Sequence, residues 1–555
     1  MKRTLSFILA LTLILSLAAC SAPASEPGTS AEPTSAPSAE QTPEQEVTAP
    51  AQEDVFVEAD EWEAQFLSSV EARKQAIVGN SDTLPCGGTA YYISNSGSDV
   101  NDGKTPETAW ASLQMINQAS FQPGDVIYLE RGGLWRGLVT LPDGVSLSAY
   151  GSGAKPRIYG STENGSGAGK WSLFYESDDG KKIWVYYRTT TECGGIVLGD
   201  SATIAQKVYS WYDGSAFYFT EDRTVPFDIL TALKQDLSFY CDWKPEQTEL
   251  PINSGPPIRD VFTLYLRCDN GNPGELYSSV EFISQPVSDE QDAIINVGEG
   301  CVLDNLCMMY FSSGIEIVSG GVTIQNCEIA FGGGFPIEYI MPEQENGACV
   351  FVQGEGVFFA GSNVVIQNNY IHDIDGYGIN FEVCRSYEET APLLPFMDND
   401  ISGNLIARCS VPVQVAMNLQ ETRNADVFGD MSIRDNYLTD AGCGWYGSRL
   451  SNVKPEIDAK EYFVCLLFGG FGDNGGHNIH VSDNVFYCGK TYLVRTNADS
   501  DFPVFENNTF AQRAGGNVLW KLDMEVESTP SGGTQEDVQA QYGNMNEAVV
   551  LRPQQ

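Results

Sequence analysis

Seven short segments in the second half of the chain share one pattern, and it constrains the fold more than any other feature. The pattern is an apolar residue, two mostly polar residues, usually Asn, any residue, then usually an apolar residue. It reads Val302-Leu-Asp-Asn305-Leu-Cys307, Ile324-Gln-Asn-Cys327-Glu-Ile329, Ile366-Gln-Asn-Asn369-Tyr-Ile371 and Ile401-Ser-Gly-Asn404-Leu-Ile406. It continues as Ile433-Arg-Asp-Asn436-Tyr-Leu438, Val481-Ser-Asp-Asn484-Val-Phe486 and Phe505-Glu-Asn-Asn508-Thr-Phe510. Repetition at this scale specifies a stacked solenoid, because each unit can bury its apolar face only against its neighbours. Alternation within a segment sends apolar side chains inward and polar ones outward. Asn suits the corner, since it accepts left-handed backbone angles and its amide can form ladders with the coil above. The Asn-equivalent positions 305, 327, 369, 404, 436, 484 and 508 are spaced by 22, 42, 35, 32, 48 and 24 residues. A minimal coil needs about 20 residues. The excess therefore marks loops, the largest at 327–369, 369–404 and 436–484, and long loops on a rigid scaffold carry binding function.

The N-terminus begins Met1-Lys2-Arg3 and continues with an apolar run from Leu5 to Leu17. A basic start before a short apolar run is the pattern of a secretory signal, too short for a comfortable membrane span. It ends Leu17-Ala18-Ala19-Cys20, which resembles the lipobox of bacterial lipoproteins. That resemblance implies cleavage before Cys20, lipid on Cys20 and stable anchoring at a membrane surface. Residues 21–54 are Ser, Pro, Ala, Glu and Thr with almost no large apolar groups, so they are expected to stay unfolded. At ~3 Å per residue such a tether would reach about 100 Å when fully extended.

The chain has 555 residues and a net charge of −43, from 31 basic and 74 acidic residues. Such a surface repels nucleic acid, and it repels polyanions unless basic groups or cations compensate locally. The 14 cysteines include no Cys-x-x-Cys pair and no zinc spacing. Cys307 and Cys327 fall on repeat positions and read as interior packing residues. An exported protein allows a disulfide or two, whose pairing the spacing leaves open.

Residues 56–78 place Trp62, Phe66, Val70 and Ile77 at helical spacing, predicting an amphipathic helix ahead of the main domain. Next comes Tyr91-Tyr92-Ile93-Ser94-Asn95-Ser96-Gly97-Ser98-Asp99-Val100-Asn101-Asp102-Gly103, then Thr105-Pro106-Glu107-Thr108-Ala109-Trp110 and Gln122-Pro123-Gly124-Asp125-Val126. Together these pieces resemble the N-terminal part of secreted right-handed parallel β-helix proteins, the pectate-lyase-like superfamily. With the repeats, the resemblance spans about residues 90–520. It implies an all-β solenoid with an N-terminal capping helix, here placed at 109–121, covering the apolar bore. It leaves the reaction open, since hydrolases, lyases, epimerases, esterases and phage adhesins share this architecture. The Asn-Thr-Asp, Asp-Asp and Gly-His-Gly set of polygalacturonases is missing, as is the Arg-x-Pro-x-x-Arg element of pectate lyases.

The expected organisation is a signal peptide at 1–20, a tether at 21–54, a helical lead-in at 55–90 and the cap with first coils at 91–160. A β-rich elaboration at 161–290, main coils at 291–524 and a C-terminal segment at 525–555 complete it. The elaboration interrupts the repeats and holds Trp171, Trp184, Trp211 and Trp243. Those aromatic rings either stack on sugars or form the elaboration's own core.

Aligning coils on Asn brings Glu316, Asn380, Glu382 and Gln414, joined by Arg495, into one outward polar column. The preceding turns carry His372, Asp373, Asp375, Arg408 and Asp440. Coils lie ~4.8 Å apart, so these groups can meet across coils. Hydrolysis of a glycosidic bond needs a proton donor and a second carboxylate, for which Asp373, Asp375 and Glu382 are candidates. β-Elimination on a uronate needs a base and a group neutralising the sugar carboxylate, for which His372, Arg408, Arg385, Asn380 or a bound Ca²⁺ would serve. Asp373 and Asp375 equally suit plain corner chemistry in His372-Asp-Ile-Asp-Gly-Tyr-Gly-Ile379. His477 and His480 read as surface turn residues.

The sequence therefore predicts a monomeric, surface-anchored right-handed parallel β-helix that binds and cleaves an extracellular polysaccharide by hydrolysis. Glu316, Asn380, Arg385, Gln414 and Arg495 are expected to bind substrate, and no cofactor is required beyond the Ca²⁺ that elimination could use. A lyase and a non-catalytic carbohydrate-binding or adhesin protein are the alternatives.

Overall fold

The computed structural model describes residues 54–191, 193–208, 210–212, 217–218, 224–243, 260–284, 293–340, 348–385, 395–419, 428–444, 463–470, 477–490, 492–496, 503–512, 517–521 and 548–551. Cys20 and the tether lie outside them. Among the described residues no helix is long and apolar enough to cross a membrane.

Three parallel sheets run the length of a right-handed β-helix. Sheet A stacks ten strands, from Ala90–Ile93 to Val504–Glu506. Sheet C stacks nine, from Val139–Leu141 to Asn517–Lys521. Sheet B lies between them in chain order, with strands such as Cys307–Phe311, Glu328–Gly333, Tyr370–Asp375 and Leu405–Ala407. One coil shows the scheme: Val365–Gln367 in A, Tyr370–Asp375 in B and Tyr377–Arg385 in C. Strand register puts equivalent residues of successive coils over one another. Leu303, Ile324, Ile366, Ile401, Ile433, Val481 and Phe505 form one inward file on sheet A. Met308, Ile329, Ile371 and Ile406 form another on sheet B, and both files belong to one continuous apolar core.

At the A-to-B corner the two talents of Asn are divided between adjacent positions. Asn305, Asn326, Asn368, Asp435, Asp483 and Asn507 take the left-handed backbone, with Gly403 at the same position in its coil. The next residue supplies the ladder. Asn508 Oδ1 accepts from the Asn484 backbone N–H at 3.0 Å and Asn436 accepts from Asn404 at 3.0 Å, continuing through Asn369 to the Cys327 N–H at 2.9 Å. The register therefore corrects the first repeat by one residue. Leu303, not Val302, pairs with Ile324, so Asn305 is the left-handed residue and Leu306 the ladder equivalent. An apolar side chain cannot extend the ladder, which ends at Cys327.

Cys327 packs at that buried position, whereas Cys307 is buried on the outer side of sheet B, beside Arg157 and Glu328. The eleven cysteines at 86, 193, 241, 268, 301, 307, 327, 409, 443, 465 and 488 are free thiols.

Helix α1 spans Asp54–Val78, and it is a strap along the side of the solenoid rather than a lead-in at its end. Its apolar stripe lies on the outer face of sheet B. Phe66 packs on Tyr437 and Tyr487, each with ring centroids 5.1 Å apart, and Ile77 packs with Tyr370, Leu405 and Ala407. Arg73 sits 3.6 Å above the Tyr437 ring and pairs with Asp435 at 2.8 Å.

The capping helix α2 is shorter than 109–121. It spans Gln114–Gln118 because Asp99 Oδ1 accepts from the Ala111 and Ser112 N–H groups and holds the preceding chain extended. Trp110, Leu113 and Ile116 still enter the core. Asn117 blunts the edge of sheet C, donating to Leu138 O at 3.0 Å and accepting from Thr140 N–H at 3.0 Å, as a neighbouring strand would.

Between the early coils, strands from Ser172–Glu176 to Val280–Ser284 pair antiparallel around a second core of Trp171, Tyr186, Phe239 and Phe282. Trp184 packs against that core, so these two tryptophans serve packing. The side chains of Trp211 and Trp243 lie outside the described residues. Arg136 joins the insertion to the solenoid by a bidentate pair to Glu281, both contacts at 2.8 Å.

Candidate functional site

Sheet C carries the polar column, with two interruptions that the repeat alignment did not anticipate. Register orders it Glu316, Phe358, Asn380, Gln414, Leu467, Arg495. Phe358 comes from Glu355–Phe359, a strand reached only after the hairpin of Phe335–Ile340 and Ala348–Gln353. Leu467 comes from Val464–Gly470. Glu316 and Arg495 are thus separated from the central pair by an apolar residue each.

What remains together is Asn380 and Gln414 on adjacent strands, Glu382 two residues beyond Asn380, and Glu355 on the preceding coil. Asn380 Nδ2 donates to Glu355 Oε1 at 2.8 Å and to Glu382 Oε2 at 3.1 Å. Gln414 Nε2 donates to Asn380 Oδ1 at 3.0 Å and reaches Glu382 Oε2 at 3.5 Å. Two carboxylate oxygens that share one amide nitrogen lie within about 6 Å of each other. Glu382 is only 4% exposed, and its pKa is pushed up to about 8. Burial is the main cause; the Asn380 hydrogen bond opposes it, and the charge of Glu355 adds to it. Glu382 therefore holds its proton at neutral pH. Gln414 is 1% exposed, and its Oε1 is buried without a hydrogen-bond partner.

Glu355 was absent from the sequence candidates, yet a signal for it exists. Ser313-Gly314-Ile-Glu-Ile, Glu355-Gly356-Val-Phe-Phe and Tyr377-Gly378-Ile-Asn-Phe share a glycine before an alternating strand. That glycine is required. A Cβ at Gly314 would lie 2.2 Å from Gly356 O, and one at Gly356 would lie 2.5 Å from Gly378 O. Aligning on glycine would have found the strand that aligning on Asn skipped.

His372, Asp373 and Arg408 form a separate group on the outer side of sheet B, under α1. Asp373 and Arg408 occupy the left-handed B-to-C corner, with φ of 55° and 52°. Arg408 grips Asp373 bidentately, Nε to Oδ1 at 3.0 Å and Nη2 to Oδ2 at 2.6 Å. His372 contacts Asp373 through Nδ1 at 2.7 Å and Glu328 through Nε2 at 3.4 Å, and its ring stacks on Tyr370 at 4.0 Å. Burial alone would raise the Asp373 pKa. The hydrogen bonds from His372 and Arg408 outweigh it and hold the group at about 2. Burial alone would lower the His372 pKa, but its two carboxylate partners raise it. This set is saturated by mutual pairing.

Asp375 is buried at the end of its sheet B strand, in register with Gly333. Arg385 ends the strand that carries Glu382, and its side chain lies outside the described residues. Among the described residues no group of three His, Cys, Asp or Glu could hold a metal ion.

The sequence family described as "Right handed beta helix region" matches residues 287–456. No curated protein matches the chain. Among solved structures, the complex of XylC with xylose is 13% identical, with a TM-score of 0.43 over 80% of this chain and 73% of the other. A GH136 lacto-N-biosidase from Eubacterium ramulus is 13% identical, with a TM-score of 0.29 over 83% of this chain and 68% of the other. An alginate lyase from Paenibacillus sp. str. FPU-7 is 11% identical, with a TM-score of 0.27 over 78% of this chain and 98% of the other. These likenesses are of fold.

Proposed function

We propose that this protein is a carbohydrate-active enzyme that hydrolyses a glycosidic bond of an extracellular polysaccharide. One observation carries the reading: the Asn380 amide touches two carboxyl groups, one of which keeps its proton at neutral pH. Glycoside hydrolysis needs such an unlike pair, and raising one pKa by burial and a neighbouring charge is how the pair is made unlike. In this reading Glu382 protonates the leaving oxygen as the bond from the anomeric carbon breaks. Glu355 attacks the anomeric carbon and forms a glycosyl ester. Water then attacks that carbon, gives its proton to the Glu382 carboxylate, and releases Glu355. The short separation leaves no room for a water between Glu355 and the sugar, which predicts retention of configuration. Asn380 holds both carboxyl groups in register, and the open acceptor of Gln414 suits a sugar hydroxyl.

Hydrolysis is favoured over elimination because, among the described side chains, the cations suited to the latter, His372 and Arg408, are committed to Asp373 and Glu328. Turnover should fall above about pH 8, as Glu382 loses its proton. A polysaccharide panel tests the reading, scored by reducing ends and by ultraviolet absorbance of unsaturated sugars. Hydrolysis yields reducing ends alone, elimination yields both, and a binding protein yields neither.

The reading includes a cell-surface location, with Cys20 lipidated and residues 21–54 as the spacer. Mass spectrometry of the mature N-terminus checks it: a lipid-modified Cys20 is expected, and an unmodified secreted chain would exclude the anchor.

A further inference from the structure

In a chain with a net charge of −43, three cationic side chains gather at one corner of the first coils. There the A-to-B turn is made by residues 131–133 and 151–156, before the Asn ladder begins. Arg131 is 7% exposed and Lys155 4% exposed, with Arg157 half-buried beside them. Arg157 Nη2 donates to Gly132 O at 3.2 Å, which ties it to the turn that carries Arg131. The Lys155 ammonium has only neutral acceptors, Asn305 Oδ1 at 2.6 Å and Asn80 O at 3.5 Å. Arg131 Nη2 and Arg157 Nε are buried without a hydrogen-bond partner among the described residues.

Asp304 is the carboxylate whose field reaches both Arg131 and Lys155. Its oxygens are already taken. Oδ2 accepts from Ser148 at 2.9 Å and Asn305 at 3.1 Å, and Oδ1 from Asn326 at 2.9 Å and Gln325 at 3.2 Å. Burial depresses the pKa of both Arg131 and Lys155, Asp304 only partly offsetting it. Glu328 also acts on Lys155 but is engaged by His372 at 3.4 Å, and Asp304 is saturated, so the orphaned guanidinium nitrogens leave positive charge uncompensated in a low-dielectric place. Such a charge is destabilising unless an anion or water meets it. Nearby, residues 151–154 form an exposed loop, with Gly151 and Gly153 at φ of 83° and 112° and open space where each Cβ would stand.

We propose that this corner binds an oxyanion, the carboxylate or sulfate group of an acidic sugar, on Arg131, Arg157 and Lys155. Arginine forks suit planar or tetrahedral oxyanions, and the orphaned nitrogens supply the donors. The site lies between sheets A and B, away from Glu382 on sheet C, and does not depend on the hydrolase reading.

Calorimetric titration of the full chain with sodium sulfate and with sodium glucuronate, at ionic strength held constant with chloride, tests it. Saturable binding of either anion, weakened tenfold or more in Arg131→Met, is expected. Binding of both identifies the sugar carboxylate as a sufficient ligand, and binding of sulfate alone restricts the site to tetrahedral oxyanions. No binding above the chloride control, or equal binding by Arg131→Met, overturns the proposal. If circular dichroism shows that Arg131→Met does not fold, Lys155→Gln is read by the same criteria.

Discussion

Two buried carboxyl-bearing clusters lie on neighbouring faces of the same coils, and their electrostatics are opposite. On sheet B, Asp373 is met by Arg408 and His372, and its pKa falls to about 2. On sheet C, Glu382 is met by an amide and by a second carboxylate, and its pKa rises to about 8. Burial is comparable in both places, so the partner decides the outcome. The first cluster is neutralised by mutual pairing, with Arg408 at its exposed side. The second keeps a transferable proton and an open acceptor. Charged residue types alone would rank the first as the more reactive; pairing ranks it as the more structural.

Substitutions separate the two. Glu382→Gln should cost 10²–10⁴-fold in turnover, measured as reducing-end release, because it removes the proton donor. Its effect on stability runs the other way. The raised pKa means the folded state holds a proton that the unfolded chain gives up near the ordinary glutamate value of 4.5. Native stability should therefore decline as pH rises from about 4.5 through 8, and the variant should lack this decline in urea titrations.

Asp373→Ala should leave the partly exposed Arg408 and the buried His372 without their shared carboxylate and destabilise the fold by about 1–2 kcal/mol in urea unfolding. Turnover per folded molecule should be nearly unchanged. The pH signature is reversed on this face. The contribution of Asp373 should be present above 3.8 and vanish as pH falls towards about 2. That of His372, whose pKa is raised, should be present below 6.5 and fade as pH climbs through its folded value.

Substitutions elsewhere sharpen the comparison. Asn436→Ala deletes one ladder rung, leaving the Asn404 N–H without its acceptor, and should cost about 1–3 kcal/mol in the same assay. Arg73→Met removes an exposed ion pair and a ring contact from α1 and should cost at most about 1 kcal/mol. Both should leave the pH dependence of each cluster in place.

The solenoid was legible because its apolar periodicity is strict. Ile324, Ile366, Ile401 and Ile433 are spaced by loops of any length yet return to one inward file. Register was legible wherever Asn marks the corner, and it slipped by one residue where Leu306 takes the ladder position. The candidate site was half legible. Asn380, Glu382 and Gln414 follow from alternation within aligned strands. Glu355 does not, because a hairpin separates its strand from the sheet B strand of its own coil. The grouping of His372, Asp373 and Arg408 on another face also escaped the alignment. Asp373 at φ 55° and Gly376 at φ 137° turn the chain from sheet B to sheet C between His372 and Asn380. The role of α1 could not be read from its apolar stripe, since periodicity gives a helix a face but not the surface that face will meet.

The central claim is that chemistry resides on sheet C and structure on sheet B. Reducing-end release by the wild type, Glu382→Gln and Asp373→Ala, on a substrate from the polysaccharide panel and normalised to folded protein at pH 7, tests it most directly. The account predicts that Glu382→Gln is silent while Asp373→Ala keeps its turnover. Persistent turnover in Glu382→Gln, with loss in fully folded Asp373→Ala, would contradict it and move the reaction to the face beneath the helix.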